Sequence, residues 1–93
     1  MKALAILRHF GYENQIEKLK EEMQELLEAL KDGDITDIIE ESADVSNVLL
    51  QFMEYHSIKN PDIYAQYEKA KEEKQQRTIK RIEAGYYEKI KEK

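Results

Sequence analysis

The chain has 93 residues and no cysteine, and 38% of its side chains are charged. The length predicts a single domain over residues 1–93, and the lack of cysteine excludes disulfides and thiolate metal sites. No segment approaches the roughly 18 consecutive apolar residues of a membrane span, and the first apolar run is too short for a secretory signal. We therefore expect a cytoplasmic protein that does not enter a membrane.

The charge is distributed unevenly along the chain. Residues 1–67 hold 14 acidic and 6 basic residues, residues 68–93 hold 6 acidic and 9 basic residues, and the formal net charge is −5. Nucleic-acid-binding domains normally carry an excess of basic residues, so we expect no nucleic-acid partner. An acidic body can instead collect divalent cations, and a basic C-terminal segment can bind phosphate.

Glycine and proline positions divide the chain into helices. Gly33 followed by Asp34 predicts the end of one helix and the N-cap of the next. The Asn60-Pro61 pair predicts an N-cap followed by proline at the first helical position. Gly11 ends a short N-terminal helical segment. Gly85 ends the last long helix, and a short terminal helical segment follows it. The main helices are therefore predicted over about residues 12–32, 35–57 and 61–84.

The apolar pattern predicts how these helices pack. The helix over 12–32 has an apolar seam spaced by three and four, with a polar stripe beside it. The seam consists of Ile16, Leu19, Met23, Leu26, Leu27 and Leu30, and the stripe of Gln15, Lys18, Glu22 and Glu25. The helix over 35–57 is apolar around most of its circumference, so several neighbours should bury it, some of them from another subunit. We predict an all-α fold, an antiparallel helical bundle of three main helices plus short terminal helical segments, completed by assembly into a homodimer or homotetramer.

Two pairs of acidic residues are the candidate functional residues. Glu22 and Glu25 lie three apart on the first main helix, and Glu41 and Asp44 lie three apart on the second. Each pair shares one helix face. The tight turn at Gly33 places the two pairs at similar heights above it, at a rise of ~1.5 Å per residue. The four carboxylates are therefore expected to converge.

Glu41 lies within the apolar face of its helix. Its neighbours one and two turns away are Ile38, Val45 and Val48. A buried carboxylate requires a compensating base, a proton or a metal ion, and residues 32–58 contain no Lys or Arg. If the partner is a metal ion, oxygen ligands favour Mg²⁺, Mn²⁺ or Ca²⁺ over zinc.

A simpler interpretation also fits these residues. Acidic pairs are common on solvated helices, where they pair with a lysine one turn away, as Lys18 could with Glu22. Either acidic motif alone is therefore weak evidence for a metal site. The presence of both motifs on adjacent antiparallel helices, with Glu41 on an apolar face, favours the metal site.

The order and spacing of these motifs resemble those of the MazG-like all-α nucleoside triphosphate pyrophosphatases. The matching residues are Gln15, Lys18, Glu21, Glu22, Glu25 and Leu26, followed by Glu41, Asp44 and Val45. The resemblance covers roughly residues 10–85, and small, single-domain, phage-like members are the closest. It implies that the four acids are catalytic residues that bind Mg²⁺, with Mn²⁺ as a possible substitute. These acids are Glu22, Glu25, Glu41 and Asp44.

The resemblance also implies a reaction. Members of this family hydrolyse a nucleoside triphosphate to the monophosphate and pyrophosphate, and a basic cluster on the following helix binds the phosphates. The corresponding residues here are Lys74, Arg77 and Arg81, together with Lys18. The expected substrate is a dNTP or a non-standard NTP. The alternative is a non-catalytic helical module that interacts with or regulates another protein.

Overall fold

A computed structural model of the chain describes residues 2–85, which form four α-helices and no strand. The helices are α1 (Lys2–Phe10), α2 (Tyr12–Asp32), α3 (Ile35–Ser57) and α4 (Ile63–Glu83). The prediction of an all-α fold is confirmed. The expected terminal segment, residues 86–93, lies outside the described residues. Among the helices of residues 2–85, none combines the length and the apolar composition that crossing a membrane requires.

The α2–α3 hairpin turns at the two residues predicted from the sequence. Gly33 has a φ of 77°, a left-handed conformation that glycine adopts without steric cost. Its N–H donates to the carbonyl oxygen of Ala29 at 2.9 Å, which closes the end of α2. The side chain of Asp34 accepts hydrogen bonds from the N–H groups of Thr36 and Asp37 at 2.9 and 3.2 Å. These bonds cap α3 and fold it back along α2.

The face of α2 that packs against α3 carries polar side chains. The buried residues of α2 are Gln15, Glu22 and Ala29, and their spacing of seven places them on one line along the helix. The buried residues of α3 are Val48 and Gln51. Two residues of the polar stripe, Gln15 and Glu22, therefore lie inside the hairpin, whereas Lys18 and Glu25 are exposed.

The apolar seam of α2 is half-buried at Ile16, Leu19 and Leu26 and exposed at Met23, Leu27 and Leu30. Met23 is 49% exposed and Leu30 is 53% exposed, and Ile35 and Ile39 of α3 are exposed as well. Neighbours among the described residues therefore cover only part of α3, whose apolar circumference predicts burial on several sides. The predicted homo-oligomer, which would cover the rest, stays a prediction.

The short helix α1 is attached to the end of α3. Leu4 and Leu7 are its buried residues, and the backbone N–H of Leu4 donates to Glu54 Oε2 at 2.8 Å. A carboxylate of α3 therefore satisfies an N–H of the first turn of α1. The Tyr12 hydroxyl lies 2.8 Å from His56 Nε2, which links the start of α2 to the last turn of α3.

The chain divides into two compact units, Met1–Pro61 and Asp62–Lys93. The second unit contains α4, none of whose residues is buried. The prediction that this helix starts at Pro61 was wrong by two residues, since it begins at Ile63 and its N-cap position is Asp62, not Asn60. The reason lies in the preceding turn, where the N–H of Asn60 bonds to the carbonyl oxygen of His56 at 3.0 Å. The prediction of a single domain stays a prediction.

Candidate metal centre

Three carboxylates meet between the two helices of the hairpin. One oxygen each of Glu22, Glu41 and Asp44 lies within 4.8 Å of the other two. Glu22 is only 5% exposed, Glu41 is partly buried and Asp44 is exposed. The cluster is therefore closed on the side of Glu22 and open to solvent on the side of Asp44.

Glu25 reaches this group through Glu41. The two side chains form a hydrogen bond, which requires one carboxyl to carry a proton and donate it to the other. Glu25 itself lies on the exposed side of the cluster. The structure thus brings together all four acids proposed from the sequence, three in one group and the fourth at its edge.

Two oxygens of this cluster are buried without a hydrogen-bond partner in the described part of the chain. They are Glu22 Oε2 and Glu41 Oε2. A buried carboxylate oxygen without a partner is destabilising, so a ligand that satisfies both would stabilise the fold. Hard oxygen donors at this mutual distance suit Mg²⁺ or Mn²⁺ rather than zinc. The residues present therefore fit a divalent cation.

Lys18 contacts the same cluster from one turn before Glu22. Its ammonium group lies 2.9 Å from Glu22 Oε1 and 3.9 Å from Glu21 Oε2. The hydrogen bond to Glu22 and the charge of Glu22 raise the pKa of Lys18 above its ordinary value of 10.5, so the lysine stays protonated. The Lys18–Glu22 ion pair that the simpler interpretation of these acids predicts is therefore present. However, it engages Oε1 and leaves Oε2 of Glu22 unsatisfied.

Glu41 is the acid whose ionisation the site opposes. Burial raises the pKa of Glu41 above its ordinary value of 4.5, and the hydrogen bond that the protonated Glu41 carboxyl donates to Glu25 raises it further. The negative charges of Glu25, Asp44 and Glu22 act in the same direction. Without a cation, the cluster therefore retains a proton more readily than separate carboxylates would.

The raised pKa of Glu41 predicts a pH-dependent stability in the presence of a chelator. The folded state binds the Glu41 proton more tightly than the unfolded state does. The proton's contribution to the free energy of unfolding is therefore complete below the ordinary pKa of 4.5, and it is lost as the pH rises through the raised pKa. We expect the Tm of the wild type to fall relative to that of Glu41→Gln as the pH rises above 4.5, since glutamine does not ionise. Glu40→Gln, an exposed control on the same helix, should follow the wild type. Parallel pH profiles for the wild type and Glu41→Gln would contradict the prediction.

The predicted phosphate-binding residues of α4 lie in the second unit. Lys74, Arg77 and Arg81 are exposed, and their spacing places them on one face of the helix. The structure therefore places Lys18 at the carboxylates, whereas the role of the three α4 residues stays a prediction.

A buried amide pair inside the hairpin was not predicted from the sequence. Gln15 Nε2 donates to Gln51 Oε1 at 2.7 Å, and both residues are buried. Gln15 lies seven residues before Glu22, and Gln51 lies seven residues after Asp44. In an antiparallel hairpin this equal spacing places the two amides opposite each other, and it was the signal that could have identified Gln51.

A helical hairpin with four acids on its facing helices, three of them within 4.8 Å of one another, is an all-α arrangement with a candidate carboxylate metal site. Residues 7–71 match the family described as phosphoribosyl-ATP pyrophosphohydrolase, and the chain belongs to this family. The family is related to the MazG-like proteins, so the resemblance is confirmed at that level. The matched residues include the four acids and Lys18 and end before Lys74.

A curated relative shows the same relationship. A phosphoribosyl-ATP pyrophosphatase of Nitrosospira multiformis is 37% identical over 60 residues, which are 64% of this chain and 50% of that protein. The chain therefore spans about half the length of this relative. No solved structure matches the chain. These matches do not test the expected phage-like character, which stays a prediction.

Proposed function

We propose that this chain is a Mg²⁺-dependent nucleotide pyrophosphohydrolase, which splits the α–β phosphoanhydride bond of a triphosphate to give a monophosphate and pyrophosphate. The observation that carries the proposal is the group of Glu22, Glu41 and Asp44, in which two buried oxygens lack a partner. The family match supports it, because the matched residues contain the whole group. Carboxylates and phosphates are both anionic, so a cation is needed to bring them together.

The family and the relative both favour one substrate. Both carry the name of phosphoribosyl-ATP, which we therefore propose as the substrate. A dNTP or a non-standard NTP, the substrate expected from the sequence, is the second candidate. Both candidates contain the same phosphoanhydride bond, so the choice between them depends on contacts to the nucleoside.

Each residue of the cluster has a proposed role. Glu22, Glu41 and Asp44 would hold the ion, which supplies Lewis acidity toward phosphoryl oxygens and lowers the pKa of a bound water. Glu25 lies outside this group and shares a hydrogen bond with Glu41, so it is best placed to accept the proton of the attacking water. Lys18 offers a positive charge to the phosphate oxygens from beside Glu22.

The remaining parts of the proposal rest on charge and exposure. We assign Lys74, Arg77 and Arg81 to the phosphates, including those of the leaving pyrophosphate. Their positive charge and common helix face support this role, and they lie beyond the residues that match the family. The exposed apolar residues of α2 and α3 support a homodimer or homotetramer, since contiguous apolar surface marks association sites. The cytoplasmic location stays a prediction.

Release of pyrophosphate tests the proposal directly. The purified chain is incubated with Mg²⁺ and, in turn, phosphoribosyl-ATP, the four dNTPs and several non-standard NTPs, and the products are identified by ³¹P NMR. We expect pyrophosphate and a monophosphate, with phosphoribosyl-ATP the best substrate and no reaction in EDTA, because the carboxylates alone repel the phosphates. Release of orthophosphate instead, or no product from any nucleotide, would contradict the proposal.

The exposed apolar faces also favour a second candidate, the non-catalytic interaction module. They would serve as binding surfaces for another protein. This alternative does not account for the two unsatisfied oxygens of Glu22 and Glu41. It predicts no turnover and no response to Mg²⁺, so the same assay separates the two.

A further inference from the structure

A groove beside the carboxylates has no role in the function proposed so far. It measures about 430 Å³ and lies between α1, α2 and α3 in the first unit. Its lining includes the apolar side chains of Ile6, Phe10 and Val48 and the polar side chains of Gln15, Lys18 and Gln51. We call it the amide groove, after the two glutamines.

The amide groove begins at the candidate metal centre. Lys18 lines the groove and also holds Glu22 at 2.9 Å. Gln15 lies seven residues before Glu22 and Gln51 seven residues after Asp44, so the amide pair lies about 10 Å along the hairpin from the carboxylates. A nucleotide whose phosphates are at the carboxylates must extend its ribose and base over a comparable distance.

The glutamine pair retains free hydrogen-bonding groups. Gln15 and Gln51 are 5% and 4% exposed, and their mutual bond uses one amide donor and one carbonyl acceptor. Within residues 2–85, Gln15 Oε1 and Gln51 Nε2 make no further hydrogen bond, yet neither is among the fully buried atoms without a partner. Since both residues line the groove, a ligand in the groove can reach these atoms.

The free groups form a complementary pair. They are one acceptor, Gln15 Oε1, and one donor, Gln51 Nε2, and flipping both amides again leaves one acceptor and one donor. Adenine offers the matching pattern at its N6 donor and N7 acceptor, the edge that glutamine side chains bind in other proteins. A planar base can also pack against the apolar wall formed by Ile6 and Phe10.

We propose that the amide groove binds the nucleoside part of the substrate, and that Gln15 and Gln51 are specificity-determining residues that select adenine through its N6/N7 edge. The inference rests on the proposed function and extends it to the choice of substrate. It explains why two amides are buried in the packing face of a small hairpin, where apolar side chains would usually pack.

Binding of two monophosphates tests this selectivity without turnover. AMP is compared with purine riboside 5′-monophosphate, which lacks the N6 amino group, by calorimetry in Mg²⁺. We expect AMP to bind the wild type roughly tenfold more tightly, the value of about one hydrogen bond, and this ratio to fall to about one in Gln15→Met/Gln51→Met. Gln24→Met, a control on the exposed face of α2, should keep the wild-type ratio. An unchanged ratio in the double variant, or no preference in the wild type, would overturn the proposal.

A second measurement uses only the wild type, in case the double variant does not fold. Titration with AMP should shift the side-chain amide NMR signals of Gln15 and Gln51 more than that of Gln24. Signals that do not move at saturating AMP would also overturn the proposal. Shifted amides without pyrophosphate release from any nucleotide would reject the proposed function but retain the groove as a nucleoside site. Pyrophosphate release with unshifted amides would reject the groove alone.

Discussion

Replacing Glu41 by glutamine is expected to reduce nucleotide hydrolysis by at least about a thousandfold while the protein remains folded. Glutamine has nearly the same shape but removes the negative charge from one of the three groups that would hold the ion. Loss of a side chain that only orients a metal ligand lowers metal affinity or activity roughly 10- to 100-fold, so loss of a ligand itself should lower activity more. The same substitution relieves the repulsion among the four acids, so the Tm in EDTA should stay the same or rise.

The matched control for this experiment is the neighbouring acid. Glu40→Gln removes the same charge from an exposed position one residue away, outside the cluster, and should keep wild-type kcat and KM. Asp44→Asn, which removes another member of the group, should resemble Glu41→Gln. The measurements are steady-state pyrophosphate release and thermal unfolding. Wild-type turnover in both Glu41→Gln and Asp44→Asn would contradict the assignment of the site.

Local sequence signals predicted the helix boundaries well where a backbone geometry required a particular residue. Gly33 adopts the left-handed conformation and Asp34 caps α3, so the predicted boundaries of α2 and α3 agree with those of the structure. The start of α4 was predicted less well. Asn60 and Pro61 favour a helix start, but the turn that follows α3 includes Asn60 and delays the helix to Ile63.

Helical periodicity did not predict which face of α2 meets α3. Apolar spacing identifies an apolar seam, but it does not specify whether this chain or another molecule covers it. The buried residues of α2 are instead Gln15, Glu22 and Ala29, and Gln15 bonds across the hairpin to Gln51. The seam through Met23 and Leu30 is left exposed. Which helix or molecule covers an apolar face depends on tertiary packing, and the periodicity of one helix does not determine it.

The candidate site was more predictable than the packing. An acid on an apolar helix face requires a partner, which predicted a role for Glu41, and this residue has a raised pKa and an unsatisfied oxygen in the structure. The sequence could not distinguish Glu22 from Glu25, since both lie on the same stripe. Glu22 is buried and Glu25 is exposed because the seven-residue line through Gln15 passes through Glu22.

Addition of Mg²⁺ is expected to raise the Tm of the wild-type protein by roughly 10–20 °C when its concentration exceeds the Kd a hundredfold. Selective binding to the folded state at that concentration contributes about 2.7 kcal/mol, and each kcal/mol shifts the Tm of a domain of this size by roughly 4–8 °C. The physical reason is the pair of unsatisfied oxygens on Glu22 and Glu41, which the ion would engage while it screens the repulsion among the acids.

Two controls separate this effect from general screening by salt. NaCl at matched ionic strength should raise the Tm far less, because screening acts on all surface charges and does not satisfy the buried oxygens. Glu41→Gln should lose most of the Mg²⁺ response, whereas Glu40→Gln should keep it. An equal response to NaCl and MgCl₂ in the wild type would mean that Lys18 and a retained proton suffice to hold these acids together. In that case the buried carboxylates would be a structural feature of the hairpin, and pyrophosphate release would require a different site.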